Sequence, residues 1–382
     1  MSNANDAMPA SFERLLRPAL RGFAPYKPGT SVDEVQRRHG ITSPVKLSQN
    51  ENPLGSSPRA MAALASVSSL SDYVEDEHLT LRKRLARPYG LTADHVVCGH
   101  GSNELIQLLF SAFVDPGDEI VTAHPTFALF RKDADVAAAH AVEVPCRDGV
   151  HDLDAMLAAV TLRTKIVFVC DPNNPTGTRV ERDALLAFAE ALAPDVLLVL
   201  DQAYREYMDA AGTEGIDVLR RRPATLVLRT VSKIYGLASV RFGYGYATPE
   251  IIGYLNRVRL PFNVSRTAAV AAVAALDDHA FVRATLRSNE AGKAQLTEAL
   301  ERRGLHVYPS ATNFVAVAMP VSGDAAYEAL LERGVIVRSG DGLGMPNRLR
   351  VTIGTREDNA AFLAALDELL AAWRAAPVEA TS

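Results

Sequence analysis

Short apolar runs alternate with helical periods through the middle of the chain, and this alternation limits the possible folds more than any other feature. The runs are HVVCG (95–99), EIVTA (119–123), AVEV (141–144), KIVFVC (165–170), VLLVL (196–200), TLVLRT (225–230) and FGYGYA (242–247). The run at 196–200 is apolar at every position, which is typical of a parallel strand covered on both faces. We therefore expect an α/β fold with a mostly parallel central sheet and right-handed crossovers.

The pattern changes near residue 265, after which fewer helices accompany the strands. A helix-compatible stretch from 265 to 303 precedes two strand-like runs, GVIVRSG (334–340) and RLRVTIG (348–354). A low number of helices relative to strands is typical of a small α+β domain. The 382 residues of the chain are enough for two hydrophobic cores. The predicted units are an N-terminal arm (1–45), a large domain (46–265) and a small C-terminal domain (266–382).

The composition argues against several classes of protein. A hydrophobic content of 48% with 22% charged residues indicates a globular chain rather than a disordered one. The formal net charge of −5 gives no general attraction to nucleic acid or to an anionic membrane, so we expect neither as a partner.

The cysteines and the N-terminus indicate the compartment. The three cysteines lack the spacing of a metal site, and two of them, Cys98 and Cys170, lie in apolar runs. We therefore expect reduced, buried thiols, no metal ion and a cytoplasmic location. The first residues lack the basic and apolar regions of a signal peptide, and the Ala/Val-rich run from Ala268 to Leu276 is too short to span a bilayer.

Two turns that follow predicted strands carry candidate binding groups. In CGHGSNELIQLLF (98–110) a strand ends in glycines and a helix begins near Ser102, which leaves unpaired backbone N–H groups that suit a phosphate. A glycine turn that serves only packing is the alternative. In CDPNNPTG (170–177) two prolines bracket two asparagines, so the Asn174 amide stands on a rigid turn where open α/β sheets bind ligands. A simple surface turn would give the same pattern.

Asp201 directly follows the apolar run at 196–200. A carboxylate at the end of a buried strand is costly unless a cation or several donors pair with it. Tyr204 follows three residues later and could direct its phenol into the same cleft. The alternative is that Asp201 caps the next helix.

The segment RTVSKIYGLASVRFGYG (229–245) places Ser232, Lys233 and Arg241 after another strand. Burial lowers the pKa of a lysine, which suits a nucleophilic amine. With the earlier groups, these residues provide what a pyridoxal phosphate site needs. They supply an amine for a Schiff base, an acid for the pyridine nitrogen, donors for the ring hydroxyl, and a helix N-terminus, a hydroxyl and a guanidinium for the phosphate.

The chain resembles the class I/II aminotransferases, which have the fold type I of pyridoxal-phosphate enzymes, and within them the histidinol-phosphate aminotransferase family. The motifs that carry the resemblance span nearly the whole chain and are LSQNENPLG (47–55), GHGSNEL (99–105), HPTFALF (124–130), DPNNPTG (171–177), LDQAY (200–204), SKIYGLASVRFGY (232–244), GVIVRSG (334–340) and LRVTIGTRED (349–358). The resemblance implies a large domain with a mostly parallel sheet, a small α+β domain and an N-terminal arm.

The resemblance also implies a role for each matching residue. Lys233 would be the Schiff-base lysine and proton carrier, Asp201 the partner of the pyridine nitrogen, and Asn174 and Tyr204 the partners of the ring hydroxyl. The catalytic residues would be Lys233, Asp201 and Tyr204. The residues expected to hold the cofactor phosphate and ring face are Ser102, Asn103, Ser232, Arg241, Phe127 (where tyrosine is frequent in the family) and, from the other subunit of a homodimer, Tyr73.

The implied substrate-binding residues are Tyr26, Asn52, Asn174, Arg338 and Arg350. Two arginines suit a site that holds a phosphate in one half-reaction and a carboxylate in the other. The expected reaction is transamination between histidinol phosphate and 2-oxoglutarate by double displacement. An aromatic substrate such as phenylalanine is an alternative, because VEDEH (74–78) departs from the family pattern. A phosphothreonine-type decarboxylase on the same fold is a further alternative.

Overall fold

The structure, a computed structural model, describes residues 15–21, 23, 29–74 and 78–375. Its strands are β1 (Val45–Lys46), β2 (Val96–Gly99), β3 (Glu119–His124), β4 (His140–Pro145), β5 (Thr164–Cys170), β6 (Leu197–Asp201), β7 (Thr225–Thr230), β8 (Gly243–Tyr246), β9 (Phe314–Ala318), β10 (Val335–Ile336), β11 (Arg338–Ser339) and β12 (Arg348–Thr352).

The α-helices are α1 (Val32–His39), α2 (Pro58–Ala65), α3 (Leu79–Ala86), α4 (Ser102–Phe113), α5 (Leu129–Ala137), α6 (Leu153–Ala158), α7 (Arg182–Ala191), α8 (Gly215–Arg221), α9 (Pro249–Val258), α10 (Arg266–Leu276), α11 (His279–Arg302), α12 (Gly323–Leu331) and α13 (Arg356–Ala375). In the described part of the chain, no helix is long and apolar enough to cross a membrane.

The seven runs predicted as strands form one sheet, in the order β2-β8-β7-β6-β5-β3-β4. The strands from β7 to β4 pair in parallel, whereas β8 is antiparallel to both of its neighbours. The central strands β5, β6 and β7 are buried along almost their whole length, as their apolar sequences require. The predicted α/β class with a mostly parallel sheet is confirmed.

A second, smaller sheet follows in the order β11-β12-β9, with antiparallel pairing throughout. Helices α11, α12 and α13 pack around it, and the side chains between them form a separate hydrophobic cluster. The short strand β1 pairs in parallel with β10, so the segment before the large sheet is held against the small one. This pairing places residues 47–52 between the two sheets.

The helix-compatible stretch after residue 265 contains two helices, α10 and α11. Asp278 separates them, because its carboxylate accepts hydrogen bonds from the Phe281 N–H and from the Ser57 hydroxyl. The buried alanines of α10 belong to the cluster that covers one face of the large sheet. The proposed domain boundary at residue 265 therefore falls before a helix that packs on the large domain, and the division stays a prediction.

The registers of the central strands bring their carboxyl ends to one edge. Cys170 at the end of β5 pairs with Asp201 at the end of β6, and Asp201 pairs with Leu228 of β7. Chain segments that follow these strands consequently meet at the same place. The polar segments that follow β5, β6 and β7 all begin there.

Truncation of Phe168 tests the core of the large domain. Phe168 is fully buried on β5, and its ring stacks on Phe130 with centroids 4.4 Å apart. The variant Phe168→Ala is expected to lower the free energy of unfolding by about 3–5 kcal/mol, because a buried aromatic ring leaves a cavity. Denaturant unfolding measures the loss. Leu162→Ala is the control, since Leu162 is fully exposed and its truncation should change the value by less than about 0.5 kcal/mol. Equal effects of both substitutions would contradict this description of the core.

Candidate active site

A cavity of about 600 Å³ lies at the carboxyl edge of the large sheet and extends to the small sheet. It brings together most of the residues that the sequence singled out. Those lining it are Ser102, Asn103, Phe127, Asn174, Asp201, Tyr204, Ser232, Lys233, Arg241, Arg338 and Arg350. Motifs separated by more than two hundred residues thus form one site.

The N-terminus of α4 forms one end of the cavity beside Arg241. Two glycines make the close approach possible. A Cβ on Gly101 would lie 2.5 Å from Nη2 of Arg241, and a Cβ on Gly243 would lie 2.3 Å from the backbone nitrogen of Ser102. Unpaired N–H groups, the positive end of the helix dipole and a guanidinium therefore face the same space, an arrangement that suits a phosphate.

Ser232 lies beside this end of the cavity and is buried. Its backbone N–H donates to the hydroxyl of Thr230, and that hydroxyl lies 2.9 Å from the Ser232 hydroxyl. These two contacts hold Ser232 at the end of β7, directly before Lys233. The serine hydroxyl is therefore fixed next to the phosphate-binding end and next to the amine.

The Lys233 amine projects into the middle of the cavity. Desolvation is the main reason that its pKa falls from 10.5 to about 8, and the nearby guanidinium of Arg350 lowers the pKa further. The carboxylates of Glu51 and Asp201 act in the opposite direction. Nζ donates to the Gln49 carbonyl at 3.2 Å. A fraction of this amine is consequently neutral and nucleophilic near neutral pH.

Asp201 ends β6 with only 2% of its surface exposed. Burial raises the pKa of its carboxyl to about 6, although the Ala203 N–H and the Lys233 cation both oppose the rise. One oxygen, Oδ1, accepts the Ala203 N–H at 3.1 Å. The element that follows is only a short 3₁₀ turn, Arg205–Tyr207, so this bond fixes a turn and orients the carboxyl group at the cavity.

Tyr204 is buried with its ring edge-on to Phe314, at a centroid distance of 5.4 Å. Its hydroxyl accepts a hydrogen bond of 2.8 Å from Nδ2 of Asn50. Burial raises the pKa of the phenol to about 12, so the group keeps its proton at all physiological pH values. The phenol can therefore act as a hydrogen-bond donor toward a group in the cavity.

Arg350 and Arg338 carry the positive charge on the side of the small sheet. They are direct cross-strand neighbours on β12 and β11. Nη1 of Arg350 donates to the Asn174 side chain, and Nη2 donates to the Ser48 carbonyl, both at 2.7 Å. Like charges at paired positions repel each other, and an anion bound between two guanidinium groups relieves that repulsion, so this pair suits an anionic ligand.

Of the remaining predicted residues, Tyr26 is outside the described part of the chain, and two others lie away from the cavity lining. Tyr73 is 81% exposed and stacks on Phe262, away from this chain's own cavity. The structure does not bring Asn52 to the cavity lining, because its amide donates to the Ile234 carbonyl and the Thr285 hydroxyl. Asn52 thus fastens the loop instead of facing a ligand.

Several lining residues were missed by the sequence analysis. Among them are Gln49, Asn50 and Glu51 from the first motif, and Cys170 at the end of β5. The motif LSQNENPLG contains five consecutive polar side chains, and the sequence alone does not show which of them face the site. Only the position opposite Tyr204 distinguishes Asn50 from Asn52, and that position depends on the fold.

The donor set fits pyridoxal phosphate. A desolvated amine, a buried carboxyl, a phenol and a helix N-terminus with a guanidinium surround one space, with Phe127 beside them. The glycines at positions 101 and 243 allow the Arg241 guanidinium and the Ser102 backbone to lie there, because a Cβ at either position would collide with them. Lys233 would hold the aldehyde, Asp201 the ring nitrogen, Tyr204 the ring hydroxyl, and Ser102, Ser232 and Arg241 the phosphate.

Comparison with known proteins agrees with this assignment. The family aminotransferase class I and II matches residues 42–366. The chain is 44% identical over 374 residues to the histidinol-phosphate aminotransferase of Moorella thermoacetica, with 97% of each protein covered. It is 42% identical over 354 residues to that of Bacillus subtilis, which covers 92% of this chain and 98% of the relative.

A solved structure shows the same fold. The crystal structure of histidinol-phosphate aminotransferase from Sinorhizobium meliloti in complex with pyridoxal-5'-phosphate has a TM-score of 0.86 to this chain at 27% identity. The match covers 94% of this chain and 98% of that one.

The lowered pKa of Lys233 can be tested by competitive acetylation of the cofactor-free protein, since the reagent attacks only neutral amines. Mass spectrometry would follow labelling of Lys233 against pH, with the exposed Lys165 as internal reference. Half-maximal reactivity is expected near pH 8. In Arg350→Gln it should move to higher pH, because a cation that disfavours the charged amine is lost. Titration of Lys233 near 10.5, or no change in the variant, would contradict the described electrostatics.

Proposed function

The chain belongs to the class I and II aminotransferases, and we propose that within this family it transfers the amino group of L-histidinol phosphate to 2-oxoglutarate. The observation that carries the proposal is the pair of guanidinium groups of Arg338 and Arg350. They line the cavity from the small sheet, whereas the N-terminus of α4 lines it from the large domain. The relatives named above carry the same activity in their names.

The substrate pair requires this second centre of positive charge. Arg241 and the N-terminus of α4 suit the phosphate of the cofactor, so a separate pair of guanidinium groups is needed for the anion of the substrate. L-Histidinol phosphate presents a phosphate to it, and 2-oxoglutarate presents a carboxylate. Guanidinium forks bind both kinds of group, which lets one cavity serve the two half-reactions in turn.

Lys233 performs the proton transfers. Bound pyridoxal phosphate supplies an aldehyde carbon that exchanges amines and a ring that takes up the electron pair released when the amine-bearing carbon loses its proton. Nζ of Lys233 is the group placed to remove that proton and to return it. Its pKa of about 8 lies close to working pH, where a base both exists in the neutral form and releases its proton again.

Asp201 and Tyr204 hold protons at fixed atoms. The Asp201 carboxylate would keep a proton on the ring nitrogen, which needs a negative partner in this buried place. The Tyr204 phenol, which keeps its own proton, would donate to the ring hydroxyl oxygen. The Asn174 amide, already bound to Arg350 through its oxygen, links that side of the ring to the anion-binding arginines.

We also propose a homodimer with shared active sites. Tyr73 stacks on Phe262, and both are exposed, as are Leu70 and Leu260 near them in the sequence; these apolar side chains suit packing against a second copy. In such a dimer Tyr73 would reach the cofactor phosphate of the partner.

We further propose a cytoplasmic location. The cysteines Cys98, Cys146 and Cys170 are free thiols, which supports a location in the reducing cytoplasm.

The proposed substrate is tested by removing the phosphate from the substrate and, separately, a guanidinium group from the enzyme. The wild-type enzyme is expected to use L-histidinol phosphate with kcat/KM about 100-fold above L-histidinol, because hydrogen bonds to charged groups contribute about 1.5–3 kcal/mol each. In Arg338→Gln or Arg350→Gln this preference should fall below about tenfold. Formation of glutamate from 2-oxoglutarate measures both rates.

Arg348→Gln is the matched control, because Arg348 lies on the same strand as Arg350 but stacks on Tyr308 outside the cavity. Its preference for the phosphorylated amine should stay as in the wild type. Rapid use of L-phenylalanine without use of L-histidinol phosphate would instead identify an aromatic aminotransferase. Release of CO₂ without glutamate would identify a decarboxylase.

Mixing of inactive subunits tests the shared site. Sedimentation is expected to give twice the 41.1 kDa of one chain. The Lys233→Ala variant should be inactive, and the Tyr73→Ala variant should bind cofactor weakly. A mixture of the two should regain activity, because one site of each heterodimer combines the native Lys233 of one subunit with the native Tyr73 of the other. Each variant alone is the control. A mass of 41.1 kDa, or no recovery on mixing, would contradict the proposal.

A further inference from the structure

Asn50 lies at the centre of a buried hydrogen-bond network between the two sheets. Its backbone N–H donates to the Thr352 hydroxyl at 2.9 Å, and its carbonyl accepts from the Asn313 amide at 2.9 Å. Its side-chain Nδ2 donates to the Tyr204 hydroxyl at 2.8 Å. Asn50 is only 2% exposed, so none of these groups can exchange its partner freely for bulk water.

The backbone of Asn50 has a φ of 55°, in the left-handed region. Among residues with a side chain, asparagine and aspartate adopt this conformation most readily, and glycine adopts it without strain. The contacts to Thr352 and Asn313 hold this backbone through main-chain atoms alone. The side-chain amide is therefore not needed to hold the loop, and its contact with Tyr204 calls for another reason.

The network fixes the orientation of the amide. The Thr352 hydroxyl accepts the Asn50 N–H, so its own proton is available to the Asn50 side-chain oxygen, which lies 3.3 Å away. With Oδ1 occupied in this way, Nδ2 faces Tyr204. The phenol oxygen thus accepts a hydrogen bond from Asn50.

A phenol has a single proton to donate. When its oxygen accepts from Asn50, that proton is left for another acceptor, and Tyr204 lines the cavity. We propose that Asn50 is a positioning residue, which directs the Tyr204 hydroxyl proton into the cavity and so makes Tyr204 a one-way donor to the ring oxygen of the cofactor. This inference rests on the proposed function only through the identity of the cofactor, and the choice of amino substrate does not enter it.

The same segment touches two other groups of the site. The carbonyl of Gln49 accepts from Lys233, and the carbonyl of Ser48 accepts from Arg350. Residues 48, 49 and 50 thus contact the anion-binding arginine, the amine and the phenol in that order. Asn50 is the member of this segment that acts through its side chain, which makes its role separable by substitution.

Two substitutions separate the role of the amide from that of the loop. Asn50→Gly keeps the left-handed backbone and removes the amide. Asn50→Asp keeps the shape but replaces the donor by a carboxylate oxygen, so the phenol proton is drawn toward residue 50 and away from the cavity. The visible absorption of the cofactor-loaded enzyme, titrated against pH, reports how strongly the ring oxygen is stabilised as an anion.

The titration midpoint is expected to rise by about 0.5–1 pH unit in Asn50→Gly and by more than about 1 unit in Asn50→Asp, because a donor to the ring oxygen favours its ionised form. Tyr204→Phe is the reference. In that background Asn50→Gly should produce no further shift, since the phenol through which it acts is gone. A residue that served only to hold the loop would shift the midpoint equally with and without Tyr204.

The role of Asn50 is overturned if Asn50→Gly leaves the midpoint unchanged, if it shifts the midpoint equally in the Tyr204→Phe background, or if Asn50→Asp lowers it. Thermal unfolding confirms that the variants are folded. Should Asn50→Gly bind cofactor poorly, the isosteric Asn50→Asp supplies the same comparison. A wild-type protein that binds no pyridoxal phosphate would overturn the proposed function as well, and it is recognised by the complete absence of visible absorption.

Discussion

Desolvation of charge at the carboxyl edge of the large sheet is the constraint on which the rest of the structure depends. Asp201 is buried and Lys233 is half-buried, and the pKa of each is shifted in the direction that favours its neutral form. Such groups are unfavourable for folding unless the surroundings compensate for the lost solvation. The fully buried strands β6 and β7, which are mostly apolar, provide stability that offsets this cost. Reactivity at this edge is therefore a consequence of burial, and not of any unusual side chain.

The second constraint is that the cavity needs walls from both sheets. The large sheet presents the amine, the acid and the phosphate-binding helix, whereas the small sheet presents Arg338 and Arg350. The segment after β1 joins them, since its strand pairs with β10 while its following residues contact Tyr204 and Lys233. A movement of one sheet relative to the other would thus change the surroundings of the amine and of the anion site together.

Much of this architecture could be predicted from the sequence, for a physical reason. Parallel strands covered on both faces have to be apolar throughout, so a polar residue at their end, such as Asp201, stands out. The glycines before α4 and the lysine after β7 stand out in the same way. The predicted α/β fold, the family and the cofactor are confirmed, whereas the domain limits and the roles of individual residues stay predictions.

The remainder could not be predicted because it depends on contacts between distant residues. Asn50 and Asn52 are chemically identical and two positions apart, yet one meets Tyr204 and the other meets the Ile234 carbonyl. The left-handed backbone at residue 50 decides between them, and it is set by Thr352 and Asn313 in the small domain. Tyr73 shows the same limit, since the group it is expected to reach belongs to another chain.

The network around Asn50 also determines when this site can exist during biosynthesis. Its contact with Thr352 joins residues 302 positions apart, and its contact with Tyr204 joins residues 154 apart. Contacts so distant in sequence form late, because the intervening chain must lose its entropy first. A nascent chain that has reached Lys233 already contains the strands of the large sheet up to β7, but it lacks the partners that hold the loop at residues 48–50. The cavity therefore cannot be completed before the chain has been synthesised through Thr352.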